Sequence, residues 1–293
     1  MRINAISLER FPENLGDLKT LESLEARENM MSCLPDSICN LESLQYLDLG
    51  ENEIDYLPEN FGKLTKLREL WLDTNELKCL PDSLGGLKNL SIADFANNKL
   101  EFVPESIAGC QNLTDLTLKE NFLETLPETI GELSKLSVLK ERDTDSKNRQ
   151  NLFVSLKINL RNGETLIISD KIDQNKIRHL SESIGNCREL SELVLTENCL
   201  SVLPESVGNL SHLTVLHVGR NRLEELTPKI GKCSKLRMLF LRENQLTELP
   251  SSIGNLENIQ TLDVSGNRLD WLPDTLLKLD IKDCVINGKR IPV

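Results

Sequence analysis

Apolar positions along the chain recur with two superposed rhythms. Leucine, isoleucine and valine fall in short alternating steps such as Leu47/Leu49 and Leu70/Leu72, where every second residue points the same way. That period marks a strand of only a few residues. Each step is followed by Asn, then by a spaced apolar pair ending in Leu-Pro, then by a segment of the form xxIGxL. The copy LTKLRELWLDTNELKCLPDSLGGL, from Leu64 to Leu87, shows the whole unit. The Asn series runs Asn29, Asn52, Asn75, Asn98 and Asn121, and resumes as Asn175, Asn198, Asn221, Asn244 and Asn267, with 23 residues between members of each run.

A unit of this length cannot bury its apolar face alone, so neighbouring copies must stack and share one core. The sequence therefore predicts an α/β chain of the leucine-rich-repeat solenoid class. It would form a curved horseshoe, with short parallel strands lining a concave sheet and short helical or 3₁₀ segments on the convex side. One solenoid domain is expected over residues 1–293. A side-chain amide buried where each strand ends can bond backbone groups of neighbouring coils, so the ten Asn residues are expected to form a ladder. The Leu-Pro pair (Leu57-Pro58, Leu126-Pro127, Leu249-Pro250) closes the turn with a fixed φ and no N–H donor. In two copies Ser181 and Thr227 replace the proline, which reads as local variation.

The ends fit the pattern less well. Leu8, Phe11, Pro12, Leu15 and Leu18 match only the second half of a repeat, and the last strand position reads Asp283-Cys284-Val285-Ile286 with Lys289 or Arg290 near the place of the Asn. Exposed apolar edges are the expectation at both. Between Asn121 and Asn175 the spacing is broken, and joining Lys140 to Ile172 restores a good repeat. Residues 141–171 are thus an insertion. It opens with the charged run ERDTDSKNRQN and continues in alternation around Asn162-Gly163. Asn-Gly between alternating runs predicts a β-hairpin over residues 153–169. The insertion is either an alternative or unspliced stretch of coding sequence or a lateral binding flap. Deleting it, with stability and partner binding as readouts, separates the two.

Composition and charge narrow the function. The net charge is −12 and aromatics make up 4% of the chain. Such a surface repels phosphate backbones, which excludes nucleic acid as the expected partner. No apolar run approaches the ~20 residues that span a bilayer, and no apolar signal segment opens the chain, so any membrane association is expected to be indirect or peripheral. The eight cysteines form no CxxC pair; Cys110, Cys187 and Cys233 share one repeat position, as small buried hydrophobes would. This points to a reducing, cytoplasmic setting. His179, His212 and His217 lie at different repeat phases, and no catalytic or metal-ligand spacing is present. A non-enzymatic protein with no cofactor and no metal is expected.

Outward strand positions lie six, four and two residues before each Asn. In the first half they carry Tyr46, Asp48, Glu69, Trp71, Asp73, Asp94 and Asp115, an acidic stripe with two aromatics. In the second half they carry Val194, Val215, His217, Met238, Phe240 and Arg242, a more apolar and partly basic face. Aromatics beside charges have the composition of protein-binding hot spots. An acidic stripe is expected to steer a partner with basic segments.

The runs LRELWLDTNEL, LSVLK with DQNKI, and IGNCRELSELVLTENCLSVLPESVGNL resemble the LAP family of polarity scaffolds, which includes Scribble, Erbin and Densin. The resemblance covers nearly the whole chain outside residues 141–171 and the C-terminal end. The Trp-Leu-Asp step at Trp71–Asp73 and the missing proline at Ser181 are its more particular marks. It implies a scaffold of epithelial polarity and junction organisation, at the cytoplasmic face of the lateral or basolateral membrane. Family members usually carry PDZ domains after the repeats and some carry lipidated cysteines ahead of them, whereas this sequence ends at Val293 and its first cysteine is Cys33, inside a repeat. An adaptor of Ras, MAPK and phosphatase signalling, built from a very similar repeat, is the alternative.

Overall fold

The computed structural model describes residues 1–137, 175–279, 281–286 and 289–291. The insertion at 141–171 and its expected hairpin lie outside these residues. The chain divides into two compact units, Met1–Leu136 and Ser137–Val293.

In the first unit five strands, β1 (Ser23–Glu25), β2 (Tyr46–Asp48), β3 (Glu69–Trp71), β4 (Ile92–Asp94) and β5 (Asp115–Thr117), form one parallel sheet in chain order. In the second, β6 (Glu192–Val194), β7 (Val215–His217), β8 (Met238–Phe240), β9 (Thr261–Asp263), β10 (Asp283–Ile286) and β11 (Lys289–Ile291) form a second sheet in chain order, parallel except for β11. The inner pairs of both sheets are parallel, and from β1 to β5 and from β6 to β9 each residue pairs with the one 23 further on, as in Leu47↔Leu70 and Leu216↔Leu239. The repeat length and the sheet register are therefore the same number.

From β1 to β9 the central residue of each strand is fully or almost fully buried, as at Leu24, Leu47, Leu70 and Leu116. The return segments are 3₁₀ turns such as Asp36–Asn40, Asp82–Gly86 and Ser251–Asn255, each entered from a proline in extended conformation. Where proline is missing, the hydroxyl serves instead. Ser181 Oγ accepts from Ser183 N at 3.1 Å and Thr227 Oγ1 from Lys229 N at 3.2 Å, satisfying a donor that opens the turn. The two replacements are thus caps. Glycine in the IG step is set by close stacking of these turns: a Cβ on Gly62 would collide with the carbonyl of Ser83 in the next coil.

The residue before each ladder asparagine from Asn29 to Asn121 and from Asn198 to Asn267 takes a left-handed conformation, with φ from 51° to 57° at Glu28, Glu51, Thr74, Asn97, Glu120, Glu197, Arg220 and Glu243 and 67° at Gly266. This turns the strand end so that the Asn side chain enters the coil. Thr74 is β-branched and is the most strained of these.

The first end exposes apolar side chains as expected, at Met1, Ile6 and Leu18, but both ends differ from the sequence expectation in their backbone pairing. Met1–Ile3 do carry a strand position: Arg2 bridges Glu25 in parallel, Ile3 N donates to Glu25 O and Glu25 N to Met1 O. The apolar pattern missed this because backbone pairing needs no leucine. At the other end β11 runs antiparallel to β10, so the outer edge of β10 is paired, which removes an open strand edge there.

Candidate functional site

The frame beneath any surface site is the asparagine ladder. Asn75 Nδ2 donates to Leu49 O in the preceding coil and to Leu72 O and Asp73 O in its own, while its Oδ1 accepts from Ile54 N at 3.0 Å. The same four bonds recur at Asn29, Asn52, Asn98, Asn121, Asn221, Asn244 and Asn267. Asn198 bonds Leu195 O, Thr196 O and Ile177 N. Asn175 is the first described residue after the insertion and is half-buried.

On the strand face of the first unit the register builds two rows. One runs Ser23, Tyr46, Glu69, Ile92, Asp115, and the other Glu25, Asp48, Trp71, Asp94, Thr117. Trp71 therefore lies between Asp48 and Asp94. Tyr46, Glu69, Trp71 and Asp73 are half-buried, but Asp48, Asp94 and Asp115 are buried. The stripe read as outward-facing is therefore partly closed. Strands about 4.8 Å apart place each short Asp beside larger neighbours that cover it. Asp48 and Asp94 also turn back on the chain, accepting from Gly50 N at 3.1 Å and Ala96 N at 2.9 Å.

Arg27 changes the electrostatics of this face. Its guanidinium is paired with Asp73 on both nitrogens, with Glu51 at 2.9 Å and with Asp48 at 3.3 Å. The hydrogen bond and charge of Asp73, with those of Asp48 and Glu51, outweigh burial and raise its pKa. Arg27, Gly50 and Asp73 hold one register position in three successive coils. A Cβ on Gly50 would collide with the Arg27 guanidinium, so the glycine lets the arginine cross a whole coil. Glycine between a basic and an acidic residue at 23-residue steps was the available signal. Two acids of the stripe thus have an internal counter-ion, and Glu69 is the half-buried acid outside the Arg27 cluster.

In the second unit, His217 and Phe240 are register neighbours, with ring centroids 4.8 Å apart and planes at 52°. Arg242 follows on the same face, half-buried, and its Nε makes no hydrogen bond among the described residues. Val194 and Val215 are buried.

Sequence reasoning also passed over exposed aromatics at the loop edge. Tyr56, Phe102 and Trp271 are each about half exposed. All three directly precede the apolar-Pro pair, as in YLP, FVP and WLP. Cys110, Cys187 and Cys233 are buried, and burial pushes their thiols up to about 11. Among the described residues no disulfide is present, no group of His, Cys, Asp and Glu could hold a metal ion, and no helix is long and apolar enough to cross a membrane.

Stacked 23-residue coils, parallel in-register strands and a buried asparagine ladder define a repeat solenoid whose side chains can vary on the surface while the frame stays constant. A family model described as a leucine-rich repeat region matches residues 1–76 and 59–193, and a leucine-rich repeat model matches 211–269. The chain belongs to the leucine-rich-repeat family. Among solved structures it is similar to a leucine-rich-repeat protein of Leptospira interrogans, at 30% identity over 97% of this chain and 76% of that one, with a TM-score of 0.59. It is also similar to the plant peptide hormone receptor RGFR1, solved in complex with RGF2, at 25% identity and a TM-score of 0.73. That match covers 94% of this chain and 41% of the receptor. YopM, a leucine-rich effector protein from Yersinia pestis, matches at 25% identity over 96% and 69% of the two chains, with a TM-score of 0.63. A search of curated protein sequences returned no match. Leucine-rich-repeat proteins are in general protein-binding scaffolds, and the fold here is of that kind.

Proposed function

We propose that this chain is a non-enzymatic scaffold that holds protein partners on its strand faces. The observation that carries the reading is the row on the first unit. Tyr46, Glu69 and Trp71, on adjacent strands, are only half-buried, over a frame whose backbone polar groups are tied by the ladder. A rigid, aromatic and polar surface binds with little loss of side-chain freedom. The receptor RGFR1, solved with RGF2, supplies a precedent for a peptide on this fold. With Asp48 and Asp73 paired to Arg27, Glu69 is the acid best placed to meet a basic segment of the partner. His217, Phe240 and Arg242 form a second, more apolar contact surface on the other unit.

The resemblance to LAP scaffolds directs the finer proposal. It is a cytoplasmic scaffold of epithelial polarity and junction organisation, peripheral to the lateral or basolateral membrane. The test is capture of partners from epithelial extract by the wild-type chain and by Glu69→Lys/Trp71→Ala, with circular dichroism to show that the variant stays folded. Polarity proteins retained by wild type and lost by the variant support the proposal. Ras-family GTPases or phosphatase subunits in their place favour the signalling-adaptor alternative. An identical partner set for both forms refutes the strand-face site.

A further inference from the structure

The second unit has a cavity of about 900 Å³ on the side where the chain leaves the strands, across three successive coils. Among the described residues its wall carries the cations Lys176, Arg178, Arg220 and Arg222, together with His179, against two acids, Glu197 and Glu243. Both acids are held by one of these cations: Arg220 pairs with Glu197 through one guanidinium nitrogen and with Glu243 at 3.1 Å through Nε. Lys176, Arg178, His179 and Arg222 are exposed, and none forms an ion pair among the described residues. In a chain of net charge −12, this is a local reversal of sign. The equivalent positions of the first unit do not show it: the residue after the ladder Asn is Met30, Glu53, Glu76, Lys99 or Phe122, whereas here it is Lys176, Cys199 or Arg222.

We propose that this cavity binds an acidic segment of a protein partner. Lys176 and Arg222 stand two coils apart, about 10 Å at strand spacing, close to the ~9 Å between every-third carboxylates on one face of a polyproline II peptide. The cavity is too large, and its cations too widely spread, for a single phosphate. Nucleic acid would bring a continuous phosphate backbone against the acidic remainder of the chain. The site is built from other residues than the strand face of the first unit and is opposite to it in charge, so the two contacts stand or fall independently.

The experiment is fluorescence anisotropy on the full chain with a short labelled peptide carrying Glu at every third position, beside the same peptide with Gln. Wild type is expected to bind the Glu peptide, more weakly as salt rises, and to prefer it to the Gln peptide. Arg178→Gln/Arg222→Gln, both changes on exposed side chains, is expected to weaken binding about five- to tenfold, while Glu69→Lys/Trp71→Ala leaves it unchanged. Equal binding of the two peptides, no binding of the Glu peptide at low salt, or undiminished binding by the arginine double variant overturns the proposal. A folded double variant is confirmed by an unchanged thermal midpoint. Should it unfold, Lys176→Gln alone, with a smaller loss expected, replaces it.

Discussion

Replacing Asn98 by Ala tests the ladder at a central coil. Asn98 is 4% exposed. Its Nδ2 donates to Leu72 O at 2.9 Å and to Phe95 O and Ala96 O at 3.1 Å, and its Oδ1 accepts from Leu77 N at 3.0 Å. Each of the three carbonyls has a second donor: Asn75 Nδ2, Asn121 Nδ2 and Thr74 N respectively. They stay satisfied when Asn98 is truncated. The amide of Leu77 has no such reserve and is left buried without a partner. One orphaned N–H at ~1–3 kcal/mol, plus roughly 1 kcal/mol for the bonds lost, sums to about 2–4 kcal/mol. Urea denaturation followed by circular dichroism measures it, and amide exchange at Leu77 should accelerate.

Asn98→Asp sharpens the test. The carboxylate keeps an acceptor for Leu77 but turns its second oxygen toward three carbonyls. Burial and that repulsion raise the folded-state pKa of the new carboxyl above its unfolded value. Stability is then best below the unfolded pKa and is lost as pH rises through the folded one. The Asp variant should therefore approach wild type in acid and fall away at neutral pH, whereas the Ala penalty stays nearly level. A loss below about 0.5 kcal/mol for Asn98→Ala, the scale of a surface change, or an Asp penalty independent of pH, refutes the ladder argument.

Three further outcomes are expected. Arg27→Met leaves Asp48 and Asp73 without their counter-ion and should destabilise by about 3 kcal/mol; a change near zero in urea denaturation contradicts the cluster. Thr74→Asn relieves a β-branched residue at φ 57° and should stabilise by about 1 kcal/mol, read as a raised thermal midpoint. Iodoacetamide at neutral pH should alkylate exposed Cys79 in the native protein and spare Cys110, Cys187 and Cys233, whose thiols burial pushes up to about 11. Their labelling at the Cys79 rate, read by peptide mapping, would contradict the burial.

The spacing of Leu and Asn determined the coil length, the strand positions, the buried face and the identity of the ladder residues, because all of these repeat locally and a shift of one residue would turn every side chain to the wrong face. The functional surface was legible only in part. Trp71, Tyr46, His217 and Phe240 could be placed on the strand face by counting back from each Asn. Their burial could not, since it depends on which neighbours lie one coil away. Tertiary structure alone decided that Asp48, Asp94 and Asp115 are covered and that Arg27 reaches across Gly50 to Asp73. It also decided that cations from coils beginning at Asn175, Asn198 and Asn221 share one cavity. Each of these joins residues 23 or 46 positions apart through side-chain reach and coil stacking, which a one-dimensional pattern does not encode.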